Sequence, residues 1–190
     1  MGAFLPDGYE PPKTGGRYTK FEDGKTTRIR IMSEPIIGWM YWDKKGDKAK
    51  PIRLLYNSDN YNRALEAASK NQKVEDRAVK HFWAMVVWNY ETKRTEVMEI
   101  TQKTIQSDIM SLTEDPDFGK PFSYDLKITR TKNGDKTEYG VIPGKEVKTP
   151  DDATEHLQNN PINLIALYYS ADPFDTNWEE PFEDIETPSF

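Results

Sequence analysis

Residues 81–90 read His-Phe-Trp-Ala-Met-Val-Val-Trp-Asn-Tyr, and this run constrains the fold more than any other part of the chain. Side chains alternate between the two faces of a β-strand. Phe82, Ala84, Val86, Trp88 and Tyr90 therefore share one side, and Trp83, Met85 and Val87 share the other. Both sides are apolar, as in a strand buried on both faces. A short turn around Thr92 and Lys93 leads into residues 94–100, which complete a hairpin.

Other strands flank this one. Residues 28–31 alternate, with Ile29 and Ile31 on one face and Arg28 and Arg30 on the other. Pro35 interrupts the run at an edge or bulge. Residues 36–42 continue as strand, a turn follows at 44–47, and 51–56 return. Residues 58–70 have helical spacing, with Ser58 as cap and Tyr61, Leu65 and Ala68 on one face. Residues 101–112 form a second helix, with Thr101 as N-cap and Ile100 and Ile105 as a hydrophobic staple. Residues 123–132 and 135–142 make a hairpin whose Asn133-Gly134 pair suits a type I′ turn. Thr149-Pro150 and Asn160-Pro161 open two short helices, the second presenting Leu164, Ile165 and Tyr168 to the body.

This order predicts a mainly β chain with helices (α+β). The expected form is an OB-fold, a five-stranded Greek-key barrel with helical insertions. Residues 1–27 read as an N-terminal arm, 28–170 as the barrel, and 171–190 as an acidic tail expected to be disordered. A length of 190 residues suits one domain.

Charge is unevenly spread. The net charge is −6, but seven acids and no base lie within residues 172–190. The rest balances at 26 bases against 25 acids, while residues 13–53 hold eleven bases and five acids. A basic N-terminal region joined to an acidic tail points to nucleic-acid contact plus a separate interaction tail. The absence of cysteine excludes disulfides and thiolate metal sites. The N-terminus lacks a signal-peptide pattern, and no apolar run is long enough for a membrane span, so a cytoplasmic protein without membrane contact is expected. No glycine-rich phosphate loop is present, and His81 and His156 lack metal-ligand spacing, so each reads as a surface or packing histidine. Neither an enzyme nor a cofactor is expected.

A non-specific binder of single strands needs cations along a groove and rings on which bases stack. Three segments have this mixture. The first carries Trp39, Tyr41 and Trp42 with Lys44, Lys45, Lys48, Lys50 and Arg53. Alternation sets Trp39 and Tyr41 on one face and Trp42 on the other, and only one face can be core. The second carries Trp83 with Lys93 and Arg94; Trp88 reads as core packing, and Trp83 as core or stacker. The third is the hairpin around Tyr124, Lys127, Arg130, Lys132 and Lys136, a basic tip suited to clamping a strand.

The segments RIRIMSEPIIGWMYW (28–42), KPIRLL (50–55), FWAMVVWNYET (82–92), EITQKTIQ (99–106), YDLKITRTKNGDKTEY (124–139) and NPINLIALY (160–168) together resemble single-stranded DNA-binding proteins of tailed phages and prophages. The resemblance implies an OB-fold that coats single strands during phage replication or recombination, in the host cytoplasm. It implies Trp42, Arg53, Trp83, Tyr124, Lys127 and Arg130 as DNA contacts. The segment order also resembles larger helix-destabilising phage proteins with a cysteine–histidine zinc site, but the chain has no cysteine for one. The end of the chain, with Asp184, Ile185, Glu186 and a terminal Phe190, is similar to the acidic tails by which such proteins recruit replication or recombination partners. The expectation is thus a non-catalytic single-stranded DNA-binding protein, with homo-oligomerisation left open. The alternatives are a phage protein–protein adaptor and an RNA-binding OB module.

Overall fold

The computed structural model describes residues 16–45 and 48–181. Seven strands form one sheet: β1 (Thr26–Ile31), β2 (Ile36–Lys45), β3 (Lys48–Leu55), β4 (Lys80–Asn89), β5 (Arg94–Ile100), β6 (Tyr124–Asn133) and β7 (Lys136–Glu146). Three α-helices, α1 (Ser58–Ser69), α2 (Lys103–Glu114) and α3 (Asp151–Asn159), and two 3₁₀ helices, Val74–Arg77 and Leu164–Tyr169, complete the described elements. The architecture is α+β with a mostly antiparallel, open sheet. The path runs β3-β2-β4-β1-β6-β7, and β5 joins through β4. Among the described residues no ladder joins β7 to β5, so the expected barrel is not closed by strand pairing.

Strand β4 is the hub. One edge pairs with β2 from Lys80 to Ala84 and then with β1 from Val87 to Asn89. The other edge pairs with β5 along its length. Both of its faces are buried, as alternation predicts. On one face Met85 and Val87 join Ile29, Ile31, Met98, Leu126 and Ile128 in a core closed by Ile105 and Ile109 of α2. On the other, Phe82, Ala84 and Val86 pack with Met40, Val97, Leu164 and Leu167. Gly38 lets β2 fit tightly against β3: a Cβ there would lie 2.0 Å from the Leu54 carbonyl oxygen.

Several local expectations shift. Asn57, not Ser58, caps α1: its Oδ1 accepts from Asn60 N at 2.7 Å. The N-cap of α2 is Gln102 rather than Thr101, while Ile100 and Ile105 are both fully buried. Pro150 itself is the N-cap of α3, one residue after Thr149. The last helix begins after Asn163, whose Oδ1 accepts from Ile165 N at 3.1 Å, so Asn160-Pro161 lies outside it. The β6–β7 hairpin turns on Gly134 and Asp135, since Asn133 pairs with Lys136. Only Gly134 has a positive φ there, at 62°. A glycine at the first central position fits the type II′ pattern, not I′.

Neither expected appendage is wholly loose. Residues 17–24 lie along the sheet: Thr19 N donates to Val97 O at 2.9 Å, and Gly24 N donates to Arg130 O at 2.9 Å. Residues 171–181, expected to be disordered, include Pro173, which is buried, and Phe174, whose ring meets Tyr18 edge-on at 5.6 Å beneath the Arg17 guanidinium at 4.4 Å. Residues 182–190, with the tail residues Asp184, Ile185, Glu186 and Phe190, lie outside the described residues. No helix among the described residues is long and apolar enough to cross a membrane.

The surface side of β1 is not simply solvated. Arg30 is fully buried, and its Nε donates to Asp125 Oδ1 at 2.7 Å while Nη1 donates to Val147 O at 3.0 Å. Asp125 also accepts from Arg28 Nε at 2.8 Å and from the Tyr90 hydroxyl at 2.9 Å. This one carboxylate ties β1 and β6 to the turn that follows β4. Asp125→Ala leaves a buried guanidinium uncompensated and should lower unfolding free energy by about 3–5 kcal/mol in urea titrations.

Candidate nucleic-acid interface

The β2–β3 hairpin projects beyond the core, and α1 folds back over one of its faces. Register places Trp39 opposite His81 and Ile37 opposite Trp83, so these side chains and Tyr41 share a face. Leu54 and Ile52 of β3 extend it. The result is a cluster of rings on the rim of the sheet. Trp39 stacks on Tyr56 with centroids 5.3 Å apart and an interplanar angle of 28°. It also meets Tyr61 of α1 at 4.6 Å and His81 at 5.3 Å. Tyr56 and His81 are 5.1 Å apart, and His81 reaches Trp83 edge-on at 6.5 Å. The Trp39 Nε1 donates to Asn57 O at 3.1 Å, which fixes the indole. Tyr56 remains 48% exposed, and Trp39 and Trp83 are half-buried.

The sequence-predicted residues divide sharply. Trp39, Tyr41, Trp42, Lys44, Lys50 and Trp83 fall on the hairpin and the start of β4. Trp42 points to the opposite face, beyond buried Met40, and is 38% exposed. Tyr41 is half-buried, and burial, with Asp43 adding, pushes its phenol up against the opposing Arg63 charge. Lys50 is exposed on the ring-bearing face. Lys44 pairs with Asp76 at 2.6 Å. Lys45 is described only through its backbone, paired with Lys48 in the ladder.

Four predicted contacts serve the fold instead. Tyr124 is 2% exposed, inside the core closed by α2, and its hydroxyl donates to Gly119 O at 3.0 Å. It has no free ring face for a base. Arg53 is 7% exposed and donates Nε to Glu99 Oε2 at 2.6 Å. Arg94 donates Nε to buried Glu96 at 3.1 Å. Arg130 donates Nη1 to Phe21 O at 3.0 Å, holding residues 17–24 against β6. Lys93, Lys127 and Lys132 are exposed, but they lie elsewhere. Lys93 follows the far end of β4, and Lys127 sits beside Arg28 on β6. Ten residues of β4 separate the two ends, roughly 30 Å at strand rise.

Tyr56, Tyr61 and His81 complete the cluster without having been singled out as contacts. Tyr56 stands just after β3, and only the β2–β4 register, which the sequence does not print, brings His81 beneath Trp39. Arg28, set over the Tyr90 ring at 4.2 Å, is a second ring–cation pair outside the expected set. Among the described residues no cluster of three or more His, Cys, Asp or Glu suited to a metal is present. No protein-family model, curated protein or solved structure matches the chain.

Burial shifts both histidines toward the neutral form. Burial lowers the His81 imidazole, with a Gln106 hydrogen bond opposing. Burial also lowers His156, with Arg17 and Arg94 adding, and its Nδ1 lies 2.8 Å from Thr95 Oγ1. A depressed folded value means that the unfolded chain binds the extra proton first. Their contribution is complete above the ordinary histidine value near 6.5 and is lost as pH falls through the folded values. Thermal unfolding temperature should therefore fall from pH 7 to pH 5, and His81→Gln and His156→Gln should each flatten that acid slope.

Proposed function

We propose that the protein is a non-catalytic single-stranded DNA-binding protein whose stacking surface is the ring cluster of β2, β3, α1 and the start of β4. The observation that carries this reading is the convergence of Trp39, Tyr56, Tyr61 and His81 on the sheet rim, with Tyr56 half in solvent. Rings packed this closely outside both cores, with Lys50 on the same face, match what base stacking beside phosphate pairing requires. Trp42, on the reverse of the hairpin, extends the surface around its edge.

The connectivity supports an OB-type scaffold. β1 and β2 act as one bent strand along β4, the β4–β5 hairpin follows, and α2 precedes the β6–β7 hairpin. Residues 17–24 bridge to Val97 of β5 and Arg130 of β6, spanning the gap that the strands leave. A partly open Greek-key barrel of this kind is a known oligonucleotide platform. Phage replication or recombination is the proposed setting, and residues 182–190 the proposed recruiting tail.

Binding to oligo-dT should quench tryptophan fluorescence and weaken with added salt. Tyr56→Ala should cost about 1–3 kcal/mol of binding per lost stack, with any stability loss confined to its contacts with Trp39 and His81. Lys50→Ala should reduce the salt slope by about 1. Undiminished affinity in Tyr56→Ala would overturn the assignment of this surface, and silence toward oligo-dT at low salt would favour the protein adaptor.

A further inference from the structure

A second surface lies on the other side of Trp83. The corner between β1 and β2, the start of β4, α2 and the segment before β6 enclose a cleft of about 390 Å³. Ile37, Trp83, Met85, Ile109, Pro121 and Phe122 make its apolar walls. Its size lies within the range of binding pockets, which are mostly apolar with a few polar groups at the edge. Met110 of α2 stands at the opening, 51% exposed.

The rim carries the information about an occupant. Glu34, Glu114 and Lys120 surround the opening. Lys120 is engaged by Glu34 at 3.0 Å. Glu114 has no ion-pair partner among the described residues, so the mouth carries one uncompensated negative charge. A polynucleotide would bring phosphates against it. The chain's own end, with Glu183, Asp184 and Glu186 around Phe182 and Ile185, would bring more acid. Neither suits the cleft.

We propose that this cleft docks a partner protein through an aromatic or aliphatic anchor residue flanked by lysine or arginine. The anchor fills the apolar walls, and the flanking cation meets Glu114. This surface adjoins the stacking cluster through Trp83 and Ile37 but does not rest on that assignment, and it would stand if that assignment failed.

The test uses the full chain and two synthetic peptides with the same Trp-Leu centre, one flanked by lysines and one by glutamates. Methyl NMR at Met110 and Met85 should show saturable binding of the lysine peptide only. Glu114→Gln should weaken it about two- to fivefold, as loss of an exposed ion pair allows. Met110→Glu places a second uncompensated acid in the mouth. If net charge alone drove binding, that variant would bind more tightly; the proposal expects at least a tenfold loss. Equal binding of both peptides or tighter binding by Met110→Glu would each overturn it.

Discussion

The molecule depends on a single strand having no free side. Both edges of β4 are paired, and both faces are covered, one by the core under α2 and the other by the 3₁₀ helix Leu164–Tyr169. Burial of an apolar side chain contributes roughly 1.5–3 kcal/mol relative to exposure, so a strand with seven buried residues anchors the structure whatever its periphery does. Cover over β4 thins toward one end. That happens at its first residues, where His81 and Trp83 are only half-buried and β2 carries the sheet outward as a hairpin.

Cation chemistry follows the same division. Arg30, Arg53, Arg94 and Arg130 all hold the fold together through carboxylates or carbonyls. Lys50, Lys93, Lys127 and Lys132 stand in solvent. Guanidinium is weakly hydrated and presents a rigid fork of donors, so it tolerates burial against fixed acceptors, whereas a strongly hydrated ammonium does not. Positive charge counted along the sequence therefore overstates what a polyanion meets, because these four arginines are already engaged within the protein.

The apolar pattern was legible, and the pairing was not. Alternation in residues 81–90 foretold a strand buried on both faces, and the limits of β5 match the sequence reading. Burial of Tyr124 follows the alternation it shares with Leu126 and Ile128, whereas the Gly119 carbonyl that satisfies its hydroxyl is announced by no local pattern. The clustering of Trp39 with His81 depends on strand register across some forty residues of chain. The burial of Arg30 depends on Val147, 117 residues away, closing over it. Helix starts moved by one to three residues because Asn57 and Asn163 out-competed nearby caps through their side-chain carbonyls.

Cover by the C-terminal segment also decides which side of the sheet is available. In OB-type barrels, oligonucleotides run across the outward face of the second and third strands. In the proposed OB-type reading, the corresponding face carries Phe82, Ala84 and Val86 of β4 with Val97 of β5, and Leu164 and Leu167 lie on it. Tyr168 reinforces that cover: its hydroxyl donates to Ile37 O at 2.7 Å, and burial pushes the phenol up to about 12. Phe174 adds to the same layer, clamped between Tyr18 and Arg17. Access to that face would require lifting this whole layer, with the loss of its buried apolar contacts. The opposite face of β2 needs no such rearrangement, because its rings already stand at the surface, and the proposed single-strand site lies there.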